Sequence, residues 1–182
     1  MTLIDRAIET AFRAHKNQVR KGTDIPYVTH PVAVGIMLAR AGCGEEVIAA
    51  GILHDSMEDT GMSLGEIREE FGERVASIVE GVSERDKSLP WEVRKAHTIE
   101  SLKTAPLEVR LVACADKLHN VRTIARDYGK LGEQVWQRFN RGKEQQAWYY
   151  REIVKALCTG SDAVDSAPLF QELKKEVEKL FG

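Results

Sequence analysis

The chain has 182 residues, enough for one domain with a buried core. It is 43% hydrophobic and 30% charged, and no apolar run approaches the roughly 18 residues of a membrane span, so it reads as globular, neither disordered nor membrane-spanning. A formal net charge of −2 argues against a general nucleic-acid binder, which needs a basic face.

Met1 to Arg13 mixes charges into its apolar positions and is not a signal peptide. Cys43, Cys114 and Cys158 are odd in number and form no CxxC pair, which points to thiols in a reducing, cytoplasmic setting.

Leu3, Ile4, Ala7, Ile8, Ala11 and Phe12 repeat at helical spacing, with Thr2 placed to cap. Gly22 and Pro26 break the pattern. Pro31 suits a first helical position, which predicts a helix from there to Gly42, and a third helix follows from Glu45 to His54. Ser63 and Glu66 form a capping-box pattern ahead of Leu64, Ile67 and Phe71, with Gly72 as the stop. Val75, Ile78, Val79 and Val82 make the next amphipathic stripe.

Ser83 to Leu89 is polar and reads as a loop; Pro90 opens a helix to about Leu102, and Pro106 opens a long one to about Tyr128. A shorter helix is expected at Val135 to Phe139, then one from Lys143 to Leu157 stopped by Gly160. Pro168 starts the last, with Leu169, Leu173, Val177 and Leu180 on one face. No period-two run stands out. The expected fold is an all-α, single-domain bundle of roughly eight to ten helices spanning residues 1–182.

The chemistry concentrates in a few polar residues. His30 precedes Pro31 at the expected cap of a helix, and His54 and Asp55 end an apolar helix. Glu58 and Asp59 follow at i+4 from that pair, on the same side if the helix persists. Asp116 lies among Leu111, Val112, Ala113, Ala115, Leu118 and Val121, with Asn120 and Thr123 continuing its stripe. A buried carboxylate needs a cation or strong donors. Singly, each of these residues is more often a cap or an inter-helix tie. Together, two imidazoles and two carboxylates suit Mn²⁺ best, with Fe²⁺, Zn²⁺ or Mg²⁺ also able to bind. Such a site leaves room for water and phosphate oxygens. Two basic clusters, Arg13, Lys16, Arg20 and Lys21, and Arg138, Arg141 and Lys143, read first as solvated helix faces.

At these residues the sequence resembles the HD-domain phosphohydrolases, and within them the hydrolase domain of RelA/SpoT homologues in its small, hydrolase-only form. The segments that carry the resemblance are Ala14-His15-Lys16, Arg20-Lys21-Gly22, Pro26 to Pro31, Leu53-His54-Asp55 with Glu58-Asp59-Thr60, and Ala115 to Asn120. The resemblance implies one Mn²⁺ held by His30, His54, Asp55 and Asp116. It also implies an alarmone substrate, ppGpp or pppGpp, cut to GDP or GTP plus pyrophosphate. Glu58 and Asp59 match the acidic pair that handles the water. Arg20, Lys21, Asn120 and Thr123 match nucleotide contacts, and Lys143, Trp148 and Tyr149 lie where later helices could close over the nucleotide.

The base stays open at this point: an adenine alarmone such as pppApp, or the 2′-phosphate of NADPH, would use the same chemistry. A nucleotide-binding sensor with a silent metal site is the reading from outside the enzymes. A homo-oligomer is compatible with all of these.

Overall fold

Helix starts and stops follow local chemistry. The computed structural model describes residues 1–84, 86–158 and 167–182. Helix α1 (Leu3–Ala14) opens on a complete capping box between Thr2 and Asp5, and α5 (Leu64–Phe71) on another between Ser63 and Glu66. Gly72, at φ 89°, ends α5 and begins α6 (Glu73–Val82), a left-handed conformation that favours glycine. Pro90 and Pro106 stand one residue ahead of α7 (Trp91–Thr104) and α8 (Leu107–Leu131). Gly132, at φ 57°, closes α8 three residues beyond the expected end, and Gly132–Arg138 winds as a 3₁₀ segment. Helix α9 is Lys143–Leu157 and α10 is Pro168–Phe181. The expected stop at Gly160 falls outside the described residues. Among those residues there is no strand, only an isolated bridge between Val19 and Pro26, and no helix is long and apolar enough to cross a membrane.

The core is organised around α3 (Glu45–Leu53), in which every residue from Val47 to Leu53 is buried. A helix apolar all round belongs inside, and α3 packs against α1, α2 (Thr29–Arg40), α6 and α8. Two glycines set the approach of α2 to α3. A Cβ on Gly35 would meet Ile52 Cγ1 at 2.5 Å, and one on Gly51 would collide with Leu38 Cδ1. The helix pair that carries His30 and delivers His54 is therefore packed at glycine contact. Helix α8 runs about 37 Å at 1.5 Å per residue, contacting α2, α3, α6, α9 and α10 and crossing the site at Asp116.

Candidate metal centre and nucleotide cavity

His30 is not at a cap. Helix α2 begins two residues before Pro31, so His30 is its second residue and only 1% exposed. A turn closed by Thr29 Oγ1–H and His30 N–H, donating to the Pro26 and Tyr27 carbonyls, starts the helix early. Pro31 then falls at the third helical position, where no amide hydrogen is required.

Helix α3 stops at Leu53, one residue short of the expected end at His54, and does not persist to Glu58 and Asp59. His54 and Asp55 form the link to a single turn, α4 (Ser56–Asp59), whose Asp59 N–H still bonds the Asp55 carbonyl at 2.9 Å.

The link aims the pair inward. His54 Nε2 lies 3.1 Å from Asp55 Oδ2 and 3.8 Å from Asp116 Oδ1; His30 Nε2 lies 3.5 and 3.2 Å from the same two oxygens. His30, His54 and Asp116 offer ligand atoms all within 4.8 Å of one another. His54 Nδ1 sits 2.7 Å from the Gly51 carbonyl oxygen, which can only accept, so we assign the proton to Nδ1. That leaves Nε2 as a buried lone pair without a hydrogen-bond partner, facing two carboxylates. His30 Nδ1 lies 2.7 Å from His119 Nδ1; donation from His30 likewise leaves its Nε2 lone pair toward the carboxylates.

Acceptors gathered this closely call for a cation among them, and the donor set fits a divalent metal. Burial opposes charge on both Asp55 and Asp116. With no metal ion between them, a proton on His54 outweighs it at Asp55, and the Lys117 ammonium does so together with both imidazoles at Asp116, so positive charge among these groups holds both carboxyls below the usual range.

Each surrounding contact fixes one of these oxygens. The Tyr27 hydroxyl donates to Asp55 Oδ2 at 2.6 Å and stands 3.3 Å from Asp59 Oδ2. Lys117 Nζ and Asn120 Nδ2 each donate to Asp116 at 2.6 Å. Glu58 Oε1 accepts the Glu84 N–H at 2.5 Å, while Lys87 Nζ donates to the Glu58 carbonyl at 2.8 Å and to Asp59 Oδ1 at 2.5 Å. Glu84 is itself clamped by Arg94 and Lys95. Burial, with Asp55 and Glu84 adding to it, pushes the Glu58 carboxyl above its ordinary value.

A cavity of about 510 Å³ opens beside this cluster. It reaches the cluster through Tyr27, Lys117, His119 and Asn120, each of which lines the cavity and touches Asp55, Asp116 or His30. Among the described residues, Arg20, Lys21, Lys95, Lys117, Arg126 and Arg138 supply cations to its wall, against a single carboxylate, Asp127.

Arg20, Lys21, Asn120, Thr123 and Tyr149 all line this cavity. The Arg20 guanidinium lies 5.5 Å above the Tyr27 ring and donates to Asn120 Oδ1 at 2.7 Å. The buried Tyr149 hydroxyl has no hydrogen-bond partner among the described residues. Lys143 is elsewhere: its Nζ pairs with Glu133 at 2.9 Å over the Tyr128 ring. Trp148 is 41% exposed.

The basic clusters also divide. Arg13 pairs with Glu9 and Arg141 with Glu92, whereas Arg20, Lys21 and Arg138 face the cavity. Sequence reasoning missed Tyr27, Lys87, Lys95, Lys117, His119 and Asp127. Lys117 carried a usable signal, a lysine beside Asp116 in an apolar helix; the others depend on tertiary approach.

An all-α bundle that turns a histidine-aspartate pair at a helix end toward a second imidazole and a distant aspartate defines the class known as HD domains. Residues 7–145 match the HD domain family, and the chain belongs to it. It is 42% identical over 124 residues to the guanosine-3′,5′-bis(diphosphate) 3′-pyrophosphohydrolase of Aquifex aeolicus, covering 66% of this chain and 18% of that one. It is 38% identical over 127 residues to the probable GTP pyrophosphokinase of Mycobacterium leprae, of whose length it spans only 16%. Against the pyrophosphohydrolase MESH1 of Danio rerio it is 38% identical over 161 residues, 87% of this chain and 86% of that one.

Among solved structures, lmo0812 of Listeria monocytogenes superposes with TM-score 0.79 at 41% identity, covering 84% of this chain and 98% of that one. A metazoan ortholog of SpoT described as hydrolysing ppGpp superposes at 0.78 and 27% identity, covering 98% and 96%.

Proposed function

We propose that residues 1–182 act as one metal-dependent 3′-pyrophosphohydrolase that cuts ppGpp and pppGpp to GDP or GTP and pyrophosphate in the cytoplasm. The observation that carries this reading is the meeting of buried lone pairs from His30 and His54 with Asp55 and Asp116, at the edge of a cavity walled by cations. The names of the relatives support it. His30, His54, Asp55 and Asp116 would hold the ion, Mn²⁺ by preference for a mixed nitrogen and oxygen set. Bound there, it supplies a Lewis acid beside the scissile phosphate.

The chain's own residues do the rest. Lys21, Lys95 and Lys117 meet phosphate charge in the cavity. Arg20 can exchange the Tyr27 face for a purine, and Asn120, Thr123 and Tyr149 line the path of the sugar. Glu58 is the better proton acceptor of the acidic pair, because burial raises its carboxyl while Lys87 and Tyr27 engage Asp59. Glu58 takes the proton of the attacking water as its oxygen bonds to phosphorus. The bond to the 3′ oxygen breaks, and as the nucleoside diphosphate or triphosphate leaves, that oxygen takes up the proton Glu58 accepted.

The test incubates purified protein and Mn²⁺ separately with ppGpp, pppApp and NADPH, with products resolved by anion-exchange chromatography. GDP and pyrophosphate from ppGpp, lost on chelation, is the expected result. Turnover of pppApp or NADPH alone would keep the mechanism and replace the substrate. Turnover of none of the three would overturn the reading.

A further inference from the structure

The polar stripe of α8 does not end at Thr123. Asp116, Asn120, Thr123 and Asp127 recur at steps of four, three and four residues, the spacing of one helix face. At 1.5 Å per residue, Asp127 lies about 16 Å along the axis from Asp116. That is comparable to the reach from a 3′-phosphate, through ribose, to the far edge of a purine once a contact of about 3 Å is added at each end. Asp116 belongs to the imidazole-carboxylate cluster, and the other three line the cavity.

Asp127 is the one carboxylate among the described residues lining a cavity otherwise suited to polyanions. A carboxylate seeks hydrogen-bond donors, which phosphate oxygens do not offer, so the phosphates belong toward Lys117 and the metal centre, and Asp127 meets the donor-bearing end of the ligand. Its side chain is 10% exposed, with Arg138 Nη1 2.7 Å from Oδ2 and Arg126 Nε 3.1 Å from Oδ1. A carboxylate has about four lone-pair positions, so two donors more can be accepted.

Guanine offers two adjacent donors, N1–H and the N2 amino group; adenine offers an acceptor at N1 and a donor at N6. Arg138 complements the other part of guanine, O6 and N7, which guanidinium groups read well. Gly22 makes room for it: a Cβ there would come within 2.9 Å of Arg138 Cδ and Nε. Arg138 thereby lies against the loop that carries Arg20 and Lys21.

We propose that Asp127, braced by Arg138, reads the N1–H and N2 edge of guanine and sets this cavity's preference for guanine over adenine nucleotides. The assignment rests on the alarmone-hydrolase reading and names the residue that selects its base.

Xanthine makes the test specific. It keeps N1–H but carries a carbonyl oxygen where guanine has its amino group, and Asp127→Asn replaces one acceptor with a matching donor. Binding of GDP, ADP and XDP to the wild type and to Asp127→Asn is measured by calorimetry. The wild type should favour GDP over ADP by roughly ten- to hundredfold, the range for a good bidentate contact to a base. Asp127→Asn should lose most of that preference and gain affinity for XDP.

A merely structural role in holding Arg138 would lower all three affinities together, and that result overturns the assignment. Equal wild-type affinity for GDP and ADP overturns it too, while ppGpp turnover by the same preparation leaves the hydrolase reading standing. Absence of both GDP binding and ppGpp turnover removes the hydrolase reading and this assignment with it.

Discussion

A carbonyl oxygen has no proton to give, and at His54 that single fact orients the centre. Gly51 holds the imidazole proton on Nδ1, so Nε2 meets Asp55 and Asp116 as a lone pair. Either His54→Ala or Asp55→Ala should therefore abolish retention of Mn²⁺, read by elemental analysis after gel filtration, along with turnover. A fully active Asp55 variant would remove that residue from the ligand set.

Glu58→Gln should keep the ion and lose about 10²–10⁴ in turnover, the usual worth of an acid–base group. The pH profile offers an independent check. Burial raises the Glu58 carboxyl above 4.5, so it stays protonated, and unable to accept a proton, to a higher pH than an ordinary glutamate. The acid limb of kcat should lie above 4.5 in the wild type and vanish in Glu58→Gln.

At the level of helices, the α2–α3 contact does most to place the two imidazoles. Gly51→Ala would drive a methyl group into Leu38, and overpacking of this kind costs about 1–3 kcal/mol. A lowered thermal midpoint together with weaker Mn²⁺ binding is expected; loss of stability with unchanged metal affinity would show that the spacing is not what positions His30 and His54.

Elements punctuated by local chemistry were legible in the sequence. Thr2 and Ser63 cap as their side chains predict, and Pro106 and Gly72 mark boundaries for steric reasons. The start of α2 was not, because a turn at Pro26 and Tyr27 nucleates it two residues before the proline that looked like its first position. The end of α3 was, within one residue of His54, whereas the separate turn Ser56–Asp59 was not, since no glycine or proline announces it. The cluster itself could be read from residue types alone. Its supports, such as the Glu84 amide on Glu58 and Lys87 on Asp59, come from a separate loop and leave no periodic trace.

For the molecule as a whole, the ion and the fold are thermodynamically linked. A ligand that binds only the native state adds about 2.7 kcal/mol at a hundred times its dissociation constant. Saturating Mn²⁺ should thus raise the unfolding midpoint, and a chelator should return it to the metal-free value. The cationic cavity adds a salt dependence: KM for a polyanionic nucleotide should rise between low and physiological ionic strength, with kcat little changed.

The centre also has a place in time. The contact between His30 and His119 spans 89 residues and that between Arg20 and Asn120 spans 100, so the donors meet only after very large loops have closed. An ion that needs His30, His54, Asp55 and Asp116 together has little to grip in the folding transition state. Mn²⁺ should then slow unfolding in proportion to its binding free energy and leave the folding rate nearly untouched, shifting one arm of the chevron and not the other.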